Sequence, residues 1–166
     1  MIPVVLSLFV AGAPAGVPSG IHQASPADFD FEHAWQSPCV PTASRGPDPK
    51  FATECAQMSE PQYFHGIWRA EFEVSNFTFM GRKDCFEADD QSCVDLVGKG
   101  LPDLGQWSCA RLFEVEFIGR RSRHAVMEYG SPAYLVEADR LISAKRLPDP
   151  YDQDCDPKLH PELQKK

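Results

Sequence analysis

Basic residues are in short supply in this chain. Lys and Arg number 16 against 24 Asp and Glu, giving a formal net charge of -8 and an isoelectric point near 5.0. Phosphate backbones are held through a basic footprint, so no nucleic-acid partner is expected, and an anionic membrane surface is disfavoured as well. Long apolar runs are missing too: the longest, at the N-terminus, is too short to span a bilayer, so no transmembrane segment is expected. The five histidines (His22, His33, His65, His124, His160) include no H-x-H or H-E-x-x-H spacing. No cysteines stand as C-x-x-C, which argues against zinc ribbons and thioredoxin-like chemistry. GKGLPDLG, at 98–105, lacks the Gly-Lys-Ser/Thr ending of a phosphate loop. The acidic stretch FEADDQS, at 86–92, has neither the spacing of a calcium loop nor an internal glycine, and reads as a solvated loop. No cofactor, metal or catalytic residue is therefore expected.

What is present points first to a compartment. Ile2 to Ala13 is apolar and ends in small residues, and Ala13-Pro14-Ala15 has the A-x-A form of a signal-peptidase site. Residues 1–15 are expected to be a signal peptide, with Ser19 as the alternative cleavage point; the stretch carries no Lys or Arg ahead of its apolar run. All six cysteines (Cys39, Cys55, Cys85, Cys93, Cys109, Cys155) follow that site, an even number that in an oxidising compartment implies three disulfides. Proximity along the chain favours Cys39 with Cys55 and Cys85 with Cys93, leaving Cys109 with Cys155, among fifteen pairings that six cysteines allow.

The fifteen prolines concentrate attention on irregular segments. Residues 16–62 form a Pro-rich arm. Ser25-Pro26-Ala27-Asp28 looks like a helix start, with a cap, a proline at the first helical position and an acid at the third; the helix would run to Gln36 with Phe31 and Trp35 on one face. The alternation of Phe29, Phe31, His33 and Trp35 fits a strand as the competing element. A second helix from Asp48-Pro49 would align Phe51, Cys55 and Met58. The apolar residues of this arm have area to bury, so it is expected to pack on the main domain, held by Cys39–Cys55.

That domain, residues 63–148, carries the regular patterning. In GIWRAEFEVSNFTFMG (66–81), Trp68, Ala70, Phe72 and Val74 alternate with charged or polar residues, and the phase flips after Ser75-Asn76 to Phe77 and Phe79. This is expected to be one long strand with a bulge or bend. Val94, Leu96 and Val97 suggest a short strand, and Phe113, Val115 and Phe117 alternate with Glu114 and Glu116 in a second long one over 106–119. Residues 133–147 fit a strand with a phase switch near Asp139-Arg140, or a helix joining Leu135, Ala138, Ile142 and Lys145; a third long strand is needed to close the sheet, which favours the first. Asn76-Phe77-Thr78 is a glycosylation sequon, but it lies inside a strand. The polar, Pro-broken tail, 149–166, follows.

The fold class expected is mainly β: a small antiparallel, OB-like barrel or sandwich with an irregular, partly helical N-terminal arm. The long opening strand resembles the first strand of OB folds. The runs GIWRAEFEVSNFTF, ARLFEVEFIGRR and YLVEADRLISAKRLP also resemble small uncharacterised exported bacterial proteins. That resemblance implies an extracytoplasmic setting, periplasmic or secreted, and no activity.

Two strand ends share a chemistry. Phe79-Met80-Gly81-Arg82-Lys83 parallels Phe117-Ile118-Gly119-Arg120-Arg121. If both ends meet in space, Arg82, Lys83, Arg120, Arg121 and Arg123, joined by His124, would make a basic patch for an anionic ligand on an otherwise acidic protein. The function expected is a non-catalytic exported module binding an envelope ligand or protein. The alternative is a small extracytoplasmic hydrolase using a loop histidine and a carboxylate, for which His65 and His124 are the candidates.

Overall fold

Strand periodicity places one apolar face inward along each of the segments above, and closing those faces on one another leaves no room for a second layer. The computed structural model of the chain describes residues 17–41, 52–55, 57–71, 74–81, 94–98, 101, 111–128 and 131–148. Within them lie seven strands: β1 (His22–Gln23), β2 (Gln62–Glu71), β3 (Val74–Phe79), β4 (Val94–Val97), β5 (Arg111–Arg121), β6 (Val126–Glu128) and β7 (Ser131–Leu147). A four-residue helix, α1 (Ala52–Cys55), precedes β2.

The strands close into a five-stranded barrel in the order β2-β3-β4-β7-β5, with β5 returning to pair with β2. β1 extends β2 in parallel at His22↔Gln62, and β6 pairs with the start of β7. Four of the barrel seams are antiparallel, but β4 and β7 run parallel, with Val94 beside Tyr134 and Val97 beside Glu137. The barrel is thus mixed rather than wholly antiparallel. The reason is connectivity: β4 and β7 are joined by way of β5 and β6 and not by a hairpin, and a crossover of that length permits parallel pairing.

The segment 66–81 is two strands and not one. β2 and β3 form an antiparallel pair with Trp68 opposite Phe77, Ala70 opposite Ser75 and Glu71 opposite Val74. The phase flip in the sequence is the reversal of a tight hairpin. Both arms bury their own alternate residues: Trp68 and Ala70 on one, Phe77 and Phe79 on the other. Phe72 and Glu73 lie outside the described residues.

β7 is a strand over all 17 of its residues, as the sheet-closing argument requires. Its inward residues Tyr134, Val136 and Ala138 are buried, and then the phase changes. Ile118 and Gly119 on β5 pair with Arg140 and Ala138, skipping Asp139; Glu116 and Phe117 pair with Ser143 and Leu141, skipping Ile142. Two bulges on β7 therefore bend it, which lets one strand meet β6, β4 and β5 in turn.

Phe64, Phe77, Phe117, Val94, Leu96, Val115 and Val136 fill the barrel with at most 1% of their surface exposed. The Phe64 and Phe117 rings stack at 4.9 Å, and Phe77 meets each of them edge-on. Gly66 is what allows this approach: a Cβ there would stand 2.6 Å from the Phe77 ring and would collide with the Thr78 carbonyl. At the far end Trp68 Nε1 donates to Ser75 Oγ at 3.0 Å, and Ser75 Oγ donates to the Leu96 carbonyl. Those bonds satisfy two inward-facing polar groups that burial would otherwise penalise.

The arm does not form the helix over 25–36. It makes two 3-10 segments, Pro26–Asp28 and Phe31–Gln36. The capping signal itself works: Ser25 N donates to Asp28 Oδ2 at 2.7 Å, and Asp28 N donates to the Ser25 carbonyl at 3.0 Å. What stops propagation is Phe29, which takes extended angles to drop its ring into the barrel end and is 6% exposed. Trp35, expected to be buried beside Phe31, is 47% exposed.

Candidate functional site

The strands that carry the two matching ends are both neighbours of one strand. β2 lies between β3 and β5, with Gly66 opposite Phe79 and Phe64 opposite Phe117. The C-terminal ends of β3 and β5 thus leave the barrel at the same rim, two strands apart but staggered, with Phe79 level with Val115 rather than Phe117. Gly81, with φ +84°, turns the chain after β3 towards Arg82 and Lys83, which lie outside the described residues.

The three described basic residues of the proposed patch have different settings. The Arg120 guanidinium meets Asp139 at 3.2 Å, and 44% of its side chain is exposed. Asp139 is the bulged residue of β7, so the bulge that bends the strand also aims this carboxylate. Arg121 lies over the Phe29 ring at 5.3 Å and donates from one terminal nitrogen to the Ser122 carbonyl at 3.3 Å. Its Nε is buried without a partner. Arg123 is exposed, and its backbone N–H donates to the Gln57 carbonyl at 3.2 Å. His124 stands 3.9 Å from Glu54. The rim therefore offers Arg120 and Arg123 to solvent and keeps Arg121, half-buried, against the arm's Phe29 ring.

The arm covers this rim through a small aromatic cluster. Phe29 stacks on Phe31 at 5.4 Å and meets Tyr134 and Phe79 edge-on at 5.2 and 5.6 Å. Tyr134 Oη accepts from Asp30 N at 3.2 Å. Burial pushes the Tyr134 phenol above its ordinary pKa. The Cys39–Cys55 disulfide, the pairing favoured by proximity, closes the segment beyond. The return stretch is sewn to the end of β5: Met58 bridges Ser122, Ser59 N donates to the Arg121 carbonyl, and Arg121 N donates to Ser59 Oγ. Cys85, Cys93, Cys109 and Cys155 lie outside the described residues, as do residues 1–15 and the tail.

A second polar constellation, of which the sequence marks out His65, Glu114 and Glu116 but not Tyr63 or Ser143, runs across the outer face of β2, β5 and β7. Tyr63 Oη and Ser143 Oγ each donate to Glu116 at 2.6 Å, one to each carboxylate oxygen. The Ser143 and Tyr63 bonds hold the Glu116 carboxyl below its ordinary pKa. Burial, followed by the Glu116 bond, pushes the Tyr63 phenol well up. His65 is on β2 and not in a loop, and its Nε2 is 3.2 Å from Glu114 Oε1. Outward alternation of Glu114 and Glu116 is legible in the sequence, but their partners come from other strands and depend on register alone. Among the described residues, no group of three or more His, Cys, Asp or Glu is arranged to hold a metal ion, and no helix is long and apolar enough to cross a membrane.

No family model, curated protein or solved structure matches this chain.

Proposed function

We propose that this protein is a non-catalytic binding module of the OB kind, working outside the cytoplasm and engaging an anionic ligand or envelope partner at the basic rim. The observation that carries the proposal is that β3 and β5, the strands that lead into FMGRK and FIGRR, end at one rim on either side of β2. The barrel supports the OB reading by its order. Numbered along the closed path, its strands run first, second, third, fifth, fourth, with the third and fifth parallel. OB barrels use strand faces and the loops beside them to bind extended ligands. Arg120 and Arg123 are exposed there, and a guanidinium pairs well with carboxylate, sulfate or phosphate. The disulfide supports an oxidising compartment, and the signal-like N-terminus agrees with it.

The hydrolase alternative has one observation on its side, the His65–Glu114 pair. Both oxygens of the neighbouring Glu116 are already occupied by hydroxyls, and His65 faces outward from the barrel wall. A general base works in a cleft that excludes water, so binding is the better reading.

The test is retention on immobilised heparin, a dense sulfate and carboxylate polyanion, under a rising salt gradient. The wild-type chain should be retained, and Arg120→Glu/Arg123→Glu should elute at clearly lower salt with an unchanged circular dichroism spectrum. Co-elution of the two proteins would remove the rim as the site.

A further inference from the structure

We propose that the Cys39–Cys55 disulfide is a strap that keeps the N-terminal arm packed against Arg121, so that reducing it frees a further cation at the rim. The proposal rests on the anion-binding reading only in its last step. Three anchors hold the arm. At its start, β1 pairs with β2 over only two residues, both exposed, and Ala24 N donates to the Tyr63 carbonyl at 2.8 Å. In its middle, Phe29 sits among Phe31, Phe79 and Tyr134 with the Arg121 guanidinium over its ring. Towards its end, Ser37 Oγ donates to the Ala125 carbonyl at 2.6 Å, and Cys39 and Val40 are buried.

The arm's regular structure is only short 3-10 segments, which carry few internal bonds, so what resists its lifting is these anchors and the burial of Ala24 and Ala34 against the core. The disulfide joins the third anchor to Cys55, just ahead of the stretch sewn to the end of β5. It spans a sequence separation of 16 residues, and closing a loop of that length removes much of the freedom the released arm would gain. The barrel needs no such tie, because its strands are laddered to one another around a closed path. Cutting the bond therefore acts on the arm and leaves the barrel standing. With the arm lifted, Arg121 loses the Phe29 ring, and its buried, partnerless Nε is freed to meet an anion.

The test uses the full chain with Cys39→Ser/Cys55→Ser, which leaves the other cysteines alone. Amide hydrogen exchange should show the arm amides of Ala24, Asp30 and Ser37 losing protection on the order of 100-fold, the loop-closure effect for this length. The β5 amides of Val115 and Phe117 should keep theirs. Unchanged arm protection would overturn the strap, and so would an equal loss in arm and barrel, which would make the bond a general stabiliser. On heparin the variant should elute at higher salt than wild type, and adding Arg121→Gln should cancel the gain. Arm release without that gain would overturn the freeing of Arg121. Failure of the rim reading itself would instead appear as wild-type elution unaffected by Arg120→Glu/Arg123→Glu.

Discussion

The barrel and the arm are built on opposite principles. Every barrel strand is paired on both sides within a closed path, and its interior is filled by large side chains with almost no exposed surface. The arm has one buried ring, short 3-10 segments, a handful of hydrogen bonds to the barrel and one covalent tie. Closed pairing makes the barrel cooperative, since no strand can leave without breaking two ladders. The arm can leave by itself. The arm's buried residues other than Phe29 are small, and a region without its own strand ladder sits at the lower end of the local stability scale, where gating devices are found.

The contrast is broken most severely from the barrel side. Phe117→Ala deletes a fully buried ring stacked on Phe64 and touching Phe77, and should cost about 3–5 kcal/mol. Chemical denaturation should show the whole chain destabilised, with arm and barrel probes moving together. Loss confined to the arm would contradict the account of the barrel as one cooperative unit. Gly66→Ala should be smaller, about 1–3 kcal/mol, because the new methyl must displace either the Phe77 ring or the Thr78 carbonyl. A neutral result in thermal unfolding would mean that β2 and β3 are not so closely apposed.

The smallest effect concerns acid. Glu116 is held below its ordinary pKa of 4.5 by Ser143 and Tyr63. A carboxyl depressed in the folded state contributes stability that is fully present above its unfolded pKa. That stability is lost as pH falls through the folded value. The melting temperature should therefore decline below about pH 4.5, and Glu116→Gln should flatten part of that decline, by less than about 1 kcal/mol for a group this solvated. The arm's Asp28 adds to the same trend. Burial pushes its carboxyl up, but the Ser25 bonds and His22 outweigh it and hold it below its ordinary value. A slope that ignored Glu116→Gln would show that the Tyr63–Glu116–Ser143 chain is not formed in solution.

Much of the barrel was legible because strand alternation is a local signal. Phe113, Val115 and Phe117 on β5, and Tyr134, Val136 and Ala138 on β7, turned inward as their spacing implied, and the phase switch at Asp139 proved to be a bulge. The phase flip at Ser75 was equally visible, yet it marks a hairpin, because a bulge and a tight reversal leave similar traces in a one-dimensional pattern. The capping signal at Ser25 was real, but the helix it should have opened was overridden by the gain from burying Phe29. The parallel seam between β4 and β7 depends on the path taken between them, which no local pattern encodes.

The sequence by itself determined the class of the fold and the inward residues of its long strands, and it favoured the Cys39–Cys55 pair by proximity. Each of these follows from short-range spacing and from the cost of leaving apolar surface in water. Only the tertiary structure decided how the candidate site is composed. It ended β3 and β5 at one rim, turned Asp139 onto Arg120 and laid Phe29 against Arg121. Those relations join residues far apart in the chain. They are set by strand order, register and the closure of the barrel.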